Sequence, residues 1–259
     1  MPVNVESALK RGVNRTVARN GLLLAGALFV ISTINEIVGF GVALWLRGVL
    51  PMGALPPNFP FPGDTSAALF AVNPAVGGLV SLLAGLAMVV LTIGALRTFV
   101  SDETERLPRE HFTENVVWPG LNVVVGAIVF AVIVSLGFVL FVIPGIFLLV
   151  ALAFWTVYVA VEDRNFVEGM QESWALTRGH RVRLFLLGFA VAIVGVIVSA
   201  VFGVGVIPGS TVGLVIAQVG SALTTVFSLA TLAAAYDQLV ALPTEEATVA
   251  TDTETPTAA

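Results

Sequence analysis

The chain alternates between long apolar runs and short polar connections, and the runs have the length of a bilayer crossing. Apolar character holds over 21–46, 75–100, 120–142, 145–161, 184–206 and 211–236. No Asp, Glu, Lys or Arg occurs in 116–161 or in 184–236. Because about 20 apolar residues cross the hydrocarbon as a helix, each charge-free stretch holds two spans and a reversal. The pattern predicts an all-α fold, a polytopic transmembrane helical bundle of about six spans with amphipathic helices at the interface. The first run follows a basic segment, as the core of a secretory signal does. No small-residue cleavage motif follows it, and apolar character resumes over 42–46, so it reads as a retained span.

Reversals are marked by Val142-Ile143-Pro144-Gly145 and Val206-Ile207-Pro208-Gly209, where Pro and Gly end one helix and permit a turn. Their repetition suggests two copies of one helical hairpin. In the fifth run Gly188, Ala192, Gly195, Ser199 and Gly203 recur at three- and four-residue steps. In the sixth run Gly213, Ala217, Gly220, Thr224, Ser228 and Thr231 do the same. Small residues let helix backbones approach in lipid, so the stripes predict close packing into the bundle; a pore lining is the alternative.

The polar segments carry patterns of their own. In 1–20, Val5, Leu9, Val13 and Val17 recur every four residues, with Arg11, Arg15 and Arg19 on another face. That suits an amphipathic helix on an anionic membrane surface, or a basic flank that orients the first span. Over 165–180 a second surface helix is expected, with Asn165 and Glu168 as a capping box and Gly179 as its stop. Phe166, Val167, Met170, Trp174 and Thr177 share one face, and Glu168 and Glu172 the other. Trp174 would then sit at the headgroup level, with Arg178, Arg181 and Arg183 on lipid phosphates; an ordinary interfacial linker is the alternative. The chain divides into a basic N-terminal segment 1–20, a membrane domain 21–241, and a Thr-, Ala- and Glu-rich tail 242–259 that reads as disordered.

Charge then sets the orientation. The segments on one side hold every Arg except Arg47, which by the positive-inside rule places both termini in the cytoplasm of a multi-pass cell-membrane protein. Only 11% of residues are charged, against roughly a quarter in a soluble domain. The net charge of −5 argues against a nucleic-acid partner. The partners implied are the lipid bilayer, its anionic headgroups, and a membrane protein. Cysteine is absent, which excludes disulfides and thiolate metal sites.

Polar groups within spans are functional candidates by default. Asn35 and Glu36 lie inside the first run and form either a proton or cation site or a pair near the outer interface. Gln218 in the sixth run is expected to hydrogen-bond between helices. Arg97 and Asp237 close the second and sixth runs on the same side and make a candidate ion pair. The two histidines, His111 and His180, sit in separate linkers. No zinc-type His-Glu-x-x-His, nucleophile elbow or phosphate loop is present. The expectation is a protein that is not an enzyme and uses no cofactor.

Several stretches together carry a family resemblance. They are the turn 142–145, the span end Val161-Glu162-Asp163, the segment Gly169-Met170-Gln171-Glu172-Ser173-Trp174-Ala175-Leu176-Thr177-Arg178-Gly179-His180, and Ala235-Tyr236-Asp237. This set resembles the multi-pass membrane domain of some glycerophosphoryl diester phosphodiesterases. It is also similar to related stand-alone membrane proteins of unknown function, many of them haloarchaeal, and the acidic, Lys-poor composition resembles theirs. The resemblance implies a membrane-embedded, lipid-proximal helper without the phosphodiester chemistry, because the aqueous segments are too short for the separate catalytic barrel. His180-Arg181 is not a remnant of that site. Two function classes follow: a scaffold that contacts headgroups or partners through its inner-surface helices, and a small transporter or channel with a site around Asn35 and Glu36.

Overall fold

The computed structural model of the chain describes residues 4–49, 72–203 and 211–242. The tail and the second Val-Ile-Pro-Gly turn therefore lie outside the described residues. Those residues form α1 (Val5–Val17), α2 (Arg19–Val49), α3 (Pro74–Val100), α4 (Glu110–Thr113), α5 (Val117–Leu140), α6 (Val142–Ala151), α7 (Trp155–Val161), α8 (Phe166–Leu176), α9 (Arg181–Gly203) and α10 (Thr211–Val240), with no strand among them. Six segments are long and apolar enough to cross a membrane: Arg19–Ala43, Pro74–Val100, Val117–Leu140, Val142–Val161, Arg181–Gly203 and Val215–Val240. The protein is an all-α polytopic membrane bundle.

Helix starts follow the sequence signals. Asn73 accepts a hydrogen bond from the Ala75 amide, with Pro74 in the first turn of α3. At α8 the Asn165 side chain accepts from Val167 and Glu168, and Glu168 reaches back to the Asn165 amide, so both halves of the capping box are present. One expectation fails. The reversal between the third and fourth spans occurs at Phe141, which is extended (φ −163°, ψ 153°), and Val142-Ile143-Pro144 open α6 instead of forming the turn. A proline in a helix's first turn removes only an amide that has no intrahelical partner there.

Accessibility is inverted relative to a water-soluble protein. On α5, Val117, Leu121, Ile128, Val132 and Leu136 form one exposed stripe at helical spacing. Fully buried positions include the polar Asn20, Thr98, Ser173, Thr177 and Thr231. Lipid covers the apolar stripe, so the helices are held together by close packing and internal hydrogen bonds more than by escape from water. Gly195 faces Thr224 and Gly220 faces Phe202, as the small-residue stripes of α9 and α10 predict.

Burial concentrates at one end. Apart from Gly77, the buried residues of α3 all fall between Ile93 and Phe99, and those of α9 are Leu184 and Leu187. One cluster joins Ala8, Ile93, Val157, Leu184 and Tyr236 from five helices; another joins Leu24, Leu28, Phe99 and Val226. This tightly packed end also carries Arg11, Arg15, Arg97, Asp102, Asp163 and Asp237, and is called the charged end below.

Candidate functional site at the charged end

The first helix is a strap across the bundle. α1 lies along the last turns of α10, with the Asn4 amide donating to Gln238 at 2.9 Å and Gln238 donating to Ser7 at 3.0 Å. Its buried face is Ala8, Gly12, Arg15 and Thr16, while Val13 and Val17 are exposed. The apolar stripe expected to lie on lipid is thus split, because seating against α10 selects the small residues. A Cβ on Gly12 would collide with the Thr231 hydroxyl, so only glycine allows this approach. Arg11 pairs with Asp102 at 2.7 Å and with Asp237 at 3.3 Å. Arg15 binds Asp102 and the Glu103 carbonyl. Burial, and next the like charge of Arg11, lower the Arg15 pKa from its ordinary value, against the pull of Asp237 and Glu103.

Arg97 and Asp237 do not pair with each other, contrary to the sequence expectation. Arg97 spends its fork on the Ala160 carbonyl (2.6 Å), the Glu114 carbonyl (2.8 Å), the Asn115 carbonyl (3.3 Å) and the Asp163 carboxylate (3.1 Å). The end of α7 stands nearer to Arg97 than α10 does, and Arg11 of the strap takes Asp237. Tyr236 donates to Glu162, and Arg164 lies 3.3 Å from Glu172, so α7, α8 and α10 are also tied by polar contacts.

α8 packs one face against the bundle and leaves the other exposed. The fourth span breaks between α6 and α7, and Ser173 fills the break: its hydroxyl accepts from the Phe154 amide and donates to the Ala151 carbonyl, both at 3.0 Å. Thr177 donates to the same carbonyl at 3.2 Å. Backbone groups freed inside a membrane protein must find such partners. The packed face of α8 is accordingly Gly169, Met170 and Ser173, with Val167 turned outward. Gly179 takes φ +81°, the left-handed turn between α8 and α9 that its expected stop requires.

Before that turn, on α8, Trp174 packs edge-on to Phe147, with ring centroids 5.4 Å apart. The Arg181 guanidinium lies over both rings, 4.5 Å from Phe147 and 4.4 Å from Trp174, and donates to the Trp174 carbonyl at 3.3 Å. Its Nε is enclosed and has no acceptor among the described residues. Arg178 and Arg183 are exposed beside it. Trp174, Arg178, Arg181 and Arg183 therefore fall on the end of α8, the connection and the start of α9, with Arg181 held by aromatic faces.

Asn35 and Glu36 stand apart from this. Both are exposed on α2. The Val72 amide donates to the Gly41 carbonyl at 3.0 Å, at the level where α3 begins. At 1.5 Å per residue, Glu36 is about 8 Å inward of that level. Gln218 is half-buried on α10, and no hydrogen bond joins it to another helix among the described residues.

A family model described as "Domain of unknown function (DUF7847)" matches residues 3–239. The chain belongs to that family. Neither a curated protein nor a solved structure matches it. The DUF7847 region takes in α1 as well as the spans, so the strap is part of the family's unit. Sequence reading missed Ser173 and Thr177 as staples, although the Ser-Trp-Ala-Leu-Thr run containing them was visible.

Proposed function

We propose that this DUF7847 chain is a non-enzymatic membrane module whose charged end faces the cytoplasm and there contacts anionic headgroups or a membrane partner. The observation that carries this reading is the junction of α8 and α9, where Arg181 lies over Trp174 and Arg178 and Arg183, near it in sequence, are exposed. Arginines with an interfacial tryptophan suit a layer of lipid phosphates. The likeness to phosphodiesterase-attached membrane domains supports the same lipid-proximal role. A transport site at Asn35 and Glu36 finds less support, since both face away from the bundle.

The test is purification from native membranes in mild detergent, with mass spectrometry of everything retained. Selective enrichment of anionic over zwitterionic lipid, or a stoichiometric protein, is expected, and Trp174→Ala with Arg178→Ala should reduce it. Retention of bulk lipid alone, unchanged in that variant, would sink the proposal.

A further inference from the structure

A crevice opens beside the arginine clamp. It lies between α6, α9 and α10, has a volume of about 470 Å³, and is lined by Leu149, Ala153, Phe185, Gly188, Phe189 and Leu232 among others. That is within the roughly 300–1,000 Å³ range of ligand pockets. The wall residues on α9 begin at Leu184 and run to Val191, so the crevice starts one turn after Arg181 on the same helix. Residues three and four apart share a helix face, which puts Arg181 above Leu184 and Phe185. Phe147, one of the rings that hold Arg181, is the neighbour of Ile146 in the opposite wall.

We infer that this crevice binds one acidic phospholipid, with an acyl chain between α6, α9 and α10 and the phosphate at Arg181. The inference rests on the headgroup reading above and makes it a defined site. Three observations choose the occupant. The walls are apolar and their rim residues Leu149, Phe185 and Phe189 are exposed, which in a membrane bundle means exposed to lipid. A guanidinium stands at one end, held by two aromatic faces and by one Nη2 bond to the Trp174 carbonyl, and phosphate is the group a planar fork of donors fits best. The N-terminus of α9 adds favourable potential for an anion at the same end.

Gly188 offers a clean perturbation. A Cβ there meets nothing within 4 Å, so a side chain at this position starts in open space and Gly188→Leu adds bulk at the crevice wall. The full chain in mild detergent is stripped of lipid stepwise and observed by native mass spectrometry. It is then titrated with dioleoylphosphatidylglycerol, with dioleoylphosphatidylcholine, and with inorganic phosphate. One phosphatidylglycerol per chain is expected to outlast bulk lipid, bound at least about tenfold more tightly than phosphatidylcholine, with no retention of free phosphate. Arg181→Gln should weaken it by about tenfold or more, the range for loss of a charge-assisted contact. Arg181→Lys should fall between, and Gly188→Leu should abolish it at an unchanged melting temperature. Retention of that lipid by Gly188→Leu overturns the crevice while leaving the headgroup reading intact, provided Arg178→Ala still lowers anionic selectivity. A wild-type chain that holds no phosphatidylglycerol in preference to phosphatidylcholine overturns both. A stripped wild-type dimer whose interface fills the crevice, with no lipid bound, overturns the site in favour of a second copy.

Discussion

Asp102 and Asp163 adopt φ of 64° and 54°, a region where glycine is the easier residue. Each stands just past a helix end, and each has a carboxylate in use: Asp102 holds Arg11 and Arg15, and Asp163 holds Arg97. Asp102→Gly relieves the backbone and deletes the anchor, whereas Asp102→Ala deletes the anchor and keeps the strain. Both are expected to melt below wild type in detergent, with the alanine variant lower by about 1 kcal/mol. A glycine variant more stable than wild type would show that the carboxylate contributes less than the backbone strain costs. Ser173→Ala leaves the Phe154 amide unpaired in a dry break and should cost about 1–3 kcal/mol. Thr177→Val should cost less, because Ser173 still serves the Ala151 carbonyl. These roles were hidden in the sequence for one reason. A serine in an amphipathic helix looks the same whether it faces water or a broken helix some twenty positions earlier.

At the level of elements, the spans and the α8 cap were legible because each is written locally, as an apolar run or as Asn165 with Glu168. The division of the fourth span was not, since its hydroxyl partners come from α8. Nor was the seated face of α1: its periodic valines pointed to lipid, while contact with α10 selects Ala8 and Gly12. Arg97 and Asp237 were each placed on the right side of the bundle, but partner choice depends on how close α7 and the strap come. The strap's fit gives a direct test. Gly12→Val forces α1 away from Thr231, so trypsin should cleave at Lys10 or Arg11 at least about tenfold faster than in wild type, the change in opening for a loss of about 1.4 kcal/mol. Equal cleavage rates would mean that the strap is not held by this contact.

For the molecule as a whole, packing is dense at the charged end and sparse along the far reach of α9. Glu36, exposed on α2, should tolerate replacement: Glu36→Gln is expected to change stability by no more than about 0.5 kcal/mol and lipid retention not at all. Abolished proton flux in liposomes bearing that variant, against measurable flux in wild type, would revive the transport reading. The proposed orientation is testable because the chain has no cysteine. A single Ser101→Cys, at an exposed position of the charged end, should react with an impermeant maleimide only after the cell membrane is permeabilised. Labelling of intact cells would invert the topology.

The strap also has a bearing on the order of synthesis. α1 leaves the ribosome ahead of every span, yet its seat is made after α2 to α9: Asn4 meets Gln238, 234 positions later. Until α10 is inserted, Ala8 and Gly12 have no surface to close on, and Arg15 lacks the burial it has in the finished chain. α1 therefore behaves as a latch that can shut only once α10 is in place. A nascent chain arrested before α10 carries it open, exposed to whatever in the cell inspects unfinished membrane proteins.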